Sequence, residues 1–410
     1  MKELLLVLLI LSLFINHLNA NEKDLNIIQK DKKEYRLLEK ESIQTRQQSQ
    51  KYDWISPIDL SGNIGRNHSF SDENSRNLNN KNTKSASIGF TQSIFESGGI
   101  GFKMEYADNR FKYEMLSWEN QNSQLIYTIY NTLLDIKKLK LEINQNDYRI
   151  VNKDIELIIK KIQYEAGKTD IIELNSAIMS KNLILKEEIA LKNSLKEKEQ
   201  ELAKYTDLKY DEIEILDFQE TNKEFFLDKN YSILEADAKV EMLNSEYKIK
   251  KSQYLPKLSL SAKASYSNQD EKFNSMINDT NKDDASSSGS LILSMPLYDY
   301  TKSSKIQESK IEVLKQKALV NDLKNETAFE YEQIFTKIDT YLKQNETINK
   351  NIKLYEELIG ANKISSEAGM TSKYDLEILE NTKTINEFDI LINKINILQQ
   401  YAKLYFKIKN

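Results

Sequence analysis

Few side chains in this sequence could carry out covalent or metal chemistry. The 410 residues include no cysteine and two histidines, His17 and His68. A Ser/His or Cys/His nucleophile system and a His/Cys metal site therefore lack parts. Carboxylates are abundant, but no spacing marks a catalytic pair. We predict that the protein is not an enzyme and that it has no cofactor and no metal site.

The carboxylates with the most informative positions are Glu173 and Asp375. Each lies six residues after the glycine of an EAG turn, Gly167 in YEAGKTDIIEL and Gly369 in SEAGMTSKYDLEIL, and the glycines are 369 − 167 = 202 residues apart. A carboxylate in the first turn of a helix interacts favourably with the positive helix end. A helix-start role is therefore one interpretation of both acids.

Long helices must position these turns. Between Gly101 and Pro256 the only glycine is Gly167 and there is no proline, which permits helices interrupted at that one turn. The segment from about 102 to 163 would span about 90 Å as a helix, and a return helix is predicted from about 170 to 205. An apolar seam with a period of seven supports this prediction, and it recurs 202 residues later with one polar break. Its positions are Ile129, Ile136, Ile143, Ile150 and Leu157, then Tyr331, Ile338, Asn345, Ile352 and Ile359.

Four other segments alternate apolar and polar residues, which predicts strands. They cover about 54–70, 84–95, 256–267 and 287–297, and polar loops join them into two hairpins. These strands have serine on one face and aliphatic residues on the other, and Trp54 or Tyr254 stands at the strand start. This pattern indicates membrane strands with an aromatic girdle. Soluble hairpins resting on a helical core are the alternative. Because four strands cannot close and an open edge is not tolerated in hydrocarbon, membrane strands would require oligomerisation.

The order of these elements indicates a duplicated unit. Residues 1–20 have the layout of a secretory signal peptide. The rest of the sequence contains no run of eighteen apolar residues, so no transmembrane helix is predicted. Phe95 to Gly167 and Leu297 to Gly369 each span 72 residues (167 − 95 and 369 − 297). We predict two structural repeats, 21–210 and 211–410, each with a helix, a β-hairpin, a long helix, a turn and a return helix.

Short motifs at matching places in both repeats resemble a known family. They are TQSIFESGG (91–99), LSMPLYDY (293–300), YLPKLSLSA (254–262) and the two EAG turns. In order and spacing the chain resembles the TolC-type outer-membrane efflux proteins over its mature length. The resemblance implies a mainly α fold with membrane β-strands: a homotrimer with 3 × 4 = 12 strands in one β-barrel and a periplasmic α-helical barrel. It implies an outer-membrane exit duct of a tripartite efflux or type I secretion system.

The resemblance also implies partners and site residues. The partners are a periplasmic adaptor, an inner-membrane transporter and outer-membrane lipid, with no nucleic acid. Tyr164, Glu173 and Asp375 match the periplasmic gate, where three copies of each acid would favour cations; Ser366 stands where a second tyrosine would match. The expected adaptor contacts are Gly167, Lys168, Gly369 and Met370.

Other functions fit the pattern less well. A periplasmic adaptor or scaffold protein also has long helical hairpins, but it should carry one hairpin between split β-domains rather than a doubled unit. An exported enzyme of cell-wall turnover is disfavoured by the missing catalytic groups. The motifs are common to ducts for drugs, metal ions and secreted polypeptides, so several classes of cargo stay open.

Overall fold

The computed structural model describes residues 25–69, 79–214, 216, 218, 220–270, 282–367 and 372–409. The predicted signal peptide (1–20) and Phe70, the end of the first predicted strand, lie outside these residues. The elements are a short 3-10 helix Leu25–Ile27, α1 Lys30–Tyr52, β1 Asp59–Ser69, β2 Asn79–Phe95, α2 Gly99–Glu165, α3 Ile171–Leu202, α4 Lys223–Lys229, α5 Tyr231–Ser252, β3 Lys257–Asp270, β4 Lys282–Ser294, α6 Lys302–Glu367 and α7 Lys373–Tyr405.

The helices repeat with the offset of the two EAG turns. Helices α2 and α6 end at Glu165 and Glu367, and α3 and α7 begin at Ile171 and Lys373, so both pairs differ by 202 residues (367 − 165 and 373 − 171). The order α1-β1-β2-α2-α3 recurs as α5-β3-β4-α6-α7. The predicted fold class, long helices with four strands, is confirmed.

The strands form one antiparallel sheet in the order β1-β2-β3-β4. Its register places one serine from each strand in a single row, Ser61, Ser87, Ser265 and Ser286. The side-chain hydroxyls of Ser61 and Ser87 lie 2.8 Å apart, as do those of Ser265 and Ser286. Because side chains alternate between faces, this row defines a polar face of the sheet.

The opposite face of the sheet is apolar. Leu60 pairs with Ile88 and Leu260 pairs with Leu291 on that face. Leu60 is 79% exposed, Leu291 67% and Leu293 74%. A soluble one-sided sheet buries its apolar face against a core, so these exposures contradict the alternative of hairpins resting on a helical core.

The strand ends differ from the sequence-based prediction. Strand β1 begins after Pro57 and β4 ends before Pro296, because proline cannot donate to a strand ladder. Strands β2 and β3 extend to Asn79 and Asp270, into polar sequence where alternation of apolar residues gives no signal. A register shift between Ser93 and Phe95 adds a β-bulge near the end of β2.

The predicted girdle is also partly wrong. Tyr254 is 8% exposed rather than displayed, and the ammonium of Lys302 lies 5.3 Å from the centre of its ring. Exposed aromatic side chains near this end of the strands include Tyr52, Phe95, Tyr298 and Tyr300.

The described chain divides into two compact units. One contains the sheet and comprises residues 41–115 and 236–320; the other comprises residues up to 40, 116–235 and 321 onward. In the second unit Ile129 and Ile136, two positions of the predicted seam, are completely buried. The polar seam position Asn345 accepts a hydrogen bond from Asn393 of α7 at 2.9 Å, so the break in the seam is paired across the hairpin.

The C-terminal segment is held by backbone and charged contacts. Lys409 N–H donates to the carbonyl of Lys229 at 2.8 Å, and Tyr231 N–H donates to that of Lys407 at 2.9 Å. The Glu330 carboxylate accepts from Lys403 at 2.8 Å and Lys407 at 2.5 Å. Burial raises the pKa of Glu330, but the two lysines outweigh it and the net pKa is lowered.

Replacing Glu330 by glutamine is expected to weaken this attachment by about 1–2 kcal/mol at pH 7. The folded-state pKa lies below the unfolded value of about 4.3. The contribution is therefore complete above that value and is lost as pH falls through the folded-state pKa. Urea unfolding of the wild type and E330Q should differ at pH 7 and converge at acidic pH. The control is E332Q, which removes the exposed pair Lys223–Glu332; an equal effect of both variants would contradict the prediction.

Candidate functional site

At the first hairpin tip, α2 is followed by a glycine whose backbone is in the left-handed region of φ/ψ space. Gly167 has φ +67°. Its N–H donates to the carbonyl of Tyr164 at 3.0 Å, and Lys168 N–H donates to that of Gln163 at 2.8 Å. These two bonds form a Schellman motif, which satisfies the last carbonyls of the helix. The left-handed conformation explains why glycine occupies this position.

Glu173 lies in the first turn of α3, where its backbone N–H donates to the N-cap carboxylate of Asp170 at 2.9 Å. Its own carboxylate accepts from the Lys160 ammonium on α2 at 2.5 Å and from the Thr169 hydroxyl at 2.7 Å. The hydrogen bond from Lys160 is the main cause of a lowered pKa of Glu173, followed by that from Thr169. The structure thus adds a specific ion pair across the hairpin to the helix-start role.

A shallow groove of about 350 Å³ lies along this hairpin beside the ion pair. Glu156, Ile159 and Lys160 of α2 line one side, and Glu173, Ser176, Ala177 and Ser180 of α3 line the other. Small residues on α3 leave the groove open, and the nearby side chain of Tyr164 is 42% exposed. Tyr164, Gly167, Lys168 and Glu173 are all exposed near the first tip, and of these four only Glu173 lines the groove.

The second tip is described only in part. Gly369 and Met370 lie outside the described residues. Ser372 is the N-cap of α7 and its hydroxyl accepts from Tyr374 N–H. Asp375 is exposed in the first turn of α7. Among the residues that the structure describes, its carboxylate has no ion pair and no hydrogen bond.

Sequence reasoning missed Lys160 and Thr169, the partners of Glu173. Lys160 precedes Gly167 by seven residues and Glu173 follows it by six (167 − 160 and 173 − 167). Residues at nearly equal distances from a turn face each other in an antiparallel hairpin, so an opposite-charge pair at those distances was an available signal.

Replacing Gly167 by alanine is expected to destabilise the first tip by about 1 kcal/mol, because a Cβ is disfavoured at positive φ. No atom lies within 4 Å of the added Cβ, so the effect comes from the backbone alone. Hydrogen exchange of amides 163–173 should accelerate about fivefold. The matched control is G360A within helix α6, where the added Cβ also meets nothing within 4 Å and stability should rise. Unchanged exchange in G167A would refute the prediction.

No group of three or more His, Asp or Glu residues in the described part of the chain is arranged to hold a metal ion. None of the described helices is long and apolar enough to cross a membrane.

Residues 226–403 match the family "Outer membrane efflux protein". The second half of the chain is therefore similar to outer membrane efflux proteins. No curated protein matches the sequence. Members of this family are channels rather than enzymes, which agrees with the sequence-based prediction.

Solved outer-membrane proteins share the fold of most of the chain. VceC of Vibrio cholerae has a TM-score of 0.71 at 14% identity, covering 94% of this chain and 95% of VceC. CmeC of Campylobacter jejuni has a TM-score of 0.70 at 12% identity, and the match covers 93% of this chain and 86% of CmeC. MtrE of Neisseria gonorrhoeae, in its open state, has a TM-score of 0.64 at 12% identity, and the match covers 91% of this chain and 85% of MtrE. The fold that the family resemblance implied is therefore confirmed.

Proposed function

We propose that this protein is the passive exit duct of a tripartite efflux or type I secretion system. Three copies form one 12-stranded β-barrel in the outer membrane and one helical barrel in the periplasm. A periplasmic adaptor joins the duct to an energised inner-membrane transporter. The duct makes and breaks no bond.

The observation that carries this proposal is the two-faced sheet. Its serine face offers hydroxyls to a water-filled lumen, and its exposed aliphatic face offers a surface that lipid can cover. Phe95, Tyr298 and Tyr300, exposed at one end of the strands, are suited to the boundary between lipid and water.

Assembly follows from the two outer strands of the sheet. Within the described residues β1 pairs only with β2, and β4 pairs only with β3. Hydrocarbon cannot hydrogen-bond the free edges, so embedding the sheet requires β4 of one copy to meet β1 of the next. The trimer number rests on the family resemblance.

Single-channel recording from the purified mature protein in a planar bilayer tests the duct. Discrete ion currents from a detergent-extracted oligomer are expected. A folded monomer that stays soluble without detergent and gives no current would overturn the proposal in favour of a periplasmic scaffold.

The hairpin tips are the proposed adaptor surface. Gly167 and Lys168 are exposed at the first tip, and Gly369 and Met370 are assigned to the second by the repeated EAG motif. Gly369→Trp should abolish co-purification of the adaptor without changing the amount of trimer. Normal adaptor capture by this variant would remove the second tip from the contact.

A further inference from the structure

The apolar face of the sheet becomes polar toward the ends of β1 and β3. On β3 the residues of this face are, in order, Leu258, Leu260, Ala262, Ala264, Tyr266 and Asn268. Ten residues separate Leu258 from Asn268 (268 − 258), which is about 34 Å along a strand. At a strand tilt of about 40° this length corresponds to a height of about 26 Å, and the apolar band of outer-membrane barrels is about 25 Å tall. The row of Asn268 therefore lies where the hydrocarbon would end.

Two basic residues lie at this boundary on the first β-hairpin. Asn268 pairs with Lys84 of β2, which pairs with Ile64 of β1. Arg66, two residues further along β1, pairs with Asn82 and is exposed. Lys84 and Arg66 are thus diagonal neighbours on one face of the sheet, about 7–8 Å apart. Their long side chains can reach one shared ligand.

The acidic residue of this row belongs to the second β-hairpin. Asp283 of β4 pairs with Asn268, so it lies two strands away from Lys84. Its carboxylate accepts a hydrogen bond from the side-chain amide of Asn268 at 2.5 Å. Within this row the positive charge therefore lies on the first hairpin and the negative charge on the second.

A shallow depression of about 420 Å³ lies on the apolar face next to Lys84. Its lining includes three alanines and three larger side chains, namely Ala86, Ala264, Ala285, Leu60, Ile88 and Tyr266. Ala86 is two residues from Lys84 on β2, so the depression begins immediately on the hydrocarbon side of the ammonium. Tyr266 is 48% exposed and suits the boundary between lipid and water. An acyl chain could lie in the depression while its headgroup meets the basic pair.

We propose that Arg66 and Lys84 bind the phosphate of an anionic lipid in the outer leaflet, with an acyl chain in the depression beside them. This inference rests on the proposed duct, in which the apolar face meets lipid. Helices α1 and α2 join the other ends of β1 and β2, so periplasmic helices place the basic pair on the outer side. Hydrogen bonds from guanidinium and ammonium groups to phosphate are strong, and the guanidinium can donate two at once. Such basic sites recognise lipid headgroups.

Native mass spectrometry of the detergent-extracted oligomer tests this binding. The probes are diphosphoryl lipid A and the same lipid with both phosphates removed. The wild type should bind the phosphorylated lipid about tenfold more tightly than the dephosphorylated one, and R66Q/K84Q should lose this preference. R66K/K84R keeps both charges and should retain most of it. Equal binding of the two lipids by the wild-type oligomer would overturn the inference.

The matched control for K84Q is K263Q. Lys263 is exposed on the same sheet but belongs to the serine face, in the row of Gly89. K84Q should weaken binding of the phosphorylated lipid about threefold or more, and K263Q should change it by less than about twofold. Equal losses in the two variants would contradict a site on the lipid-facing side.

Two further outcomes distinguish the ligand and the duct. Inorganic phosphate at the concentration of the lipid should not displace it, because the free ion has no acyl chain; displacement would indicate a site for free phosphate and overturn the lipid. A wild type that forms only a soluble monomer would overturn the duct itself, and the lipid site with it. An oligomer that conducts ions but shows no preference for phosphorylated lipid would overturn this inference alone.

Discussion

Replacing Ile88 by arginine should prevent stable insertion of the protein into the outer membrane. Ile88 lies on the central strand β2, on the apolar face between Leu60 of β1 and Ala264 of β3. An arginine facing lipid near the bilayer centre costs about 2–4 kcal/mol. Three-fold assembly would impose that cost once in each copy, so the total exceeds what most substitutions cause.

Ser87→Arg is the matched control, because Ser87 is the adjacent residue and lies on the serine face. Its arginine would extend into the lumen and remain hydrated. The measurement is the amount of heat-dissociable oligomer in isolated outer membranes. We expect little oligomer for I88R and near-normal amounts for S87R; equal amounts would show that the two faces are not lipid and lumen.

The second large effect is expected at Arg36, which joins α1 to α2. The side chain is buried, its Nε donates to Asn122 at 2.6 Å, and an Nη donates to the carbonyl of Trp118 at 2.9 Å. The other Nη of Arg36 donates to the side-chain oxygens of Gln121 at 2.9 Å and Glu39 at 2.5 Å. Removing the guanidinium leaves the buried acceptors on Asn122 and Trp118 without this donor, so Arg36→Met should cost about 3 kcal/mol.

Urea unfolding followed by circular dichroism measures this cost. Arg36→Lys should recover only part of the stability, because an ammonium cannot reproduce the planar set of donors. The control is Arg46→Met, which removes a pair with Glu114 whose arginine side chain is 44% exposed and should cost less than about 1 kcal/mol. Similar costs for R36M and R46M would mean that Arg36 does not anchor α1.

The two hairpins illustrate how a duplicated sequence acquires unequal parts. The helix ends that flank the two turns are offset by the same 202 residues, yet the first repeat has Lys160 where the second has Asn362. The two repeats therefore differ at this position in side-chain charge, although the described elements follow in the same order.

The sequence by itself determined the features that depend on neighbouring residues. A glycine at the turn, an acid at the start of a helix, a seam with a period of seven and alternation along a strand are local patterns, and each predicted its element. The heptad positions Ile129 and Ile136 proved completely buried, and Gly167 proved left-handed.

Only the tertiary structure decided features that depend on distant residues. The pairing of β2 with β3 joins residues such as Ser87 and Ser265, and it links the serine pairs of the two hairpins into one row of four. The burial of Tyr254 and the attachment of the C-terminal segment to Lys229 likewise depend on contacts between separate segments. Strand ends follow backbone pairing rather than side-chain polarity, so they cannot be obtained from local pattern alone.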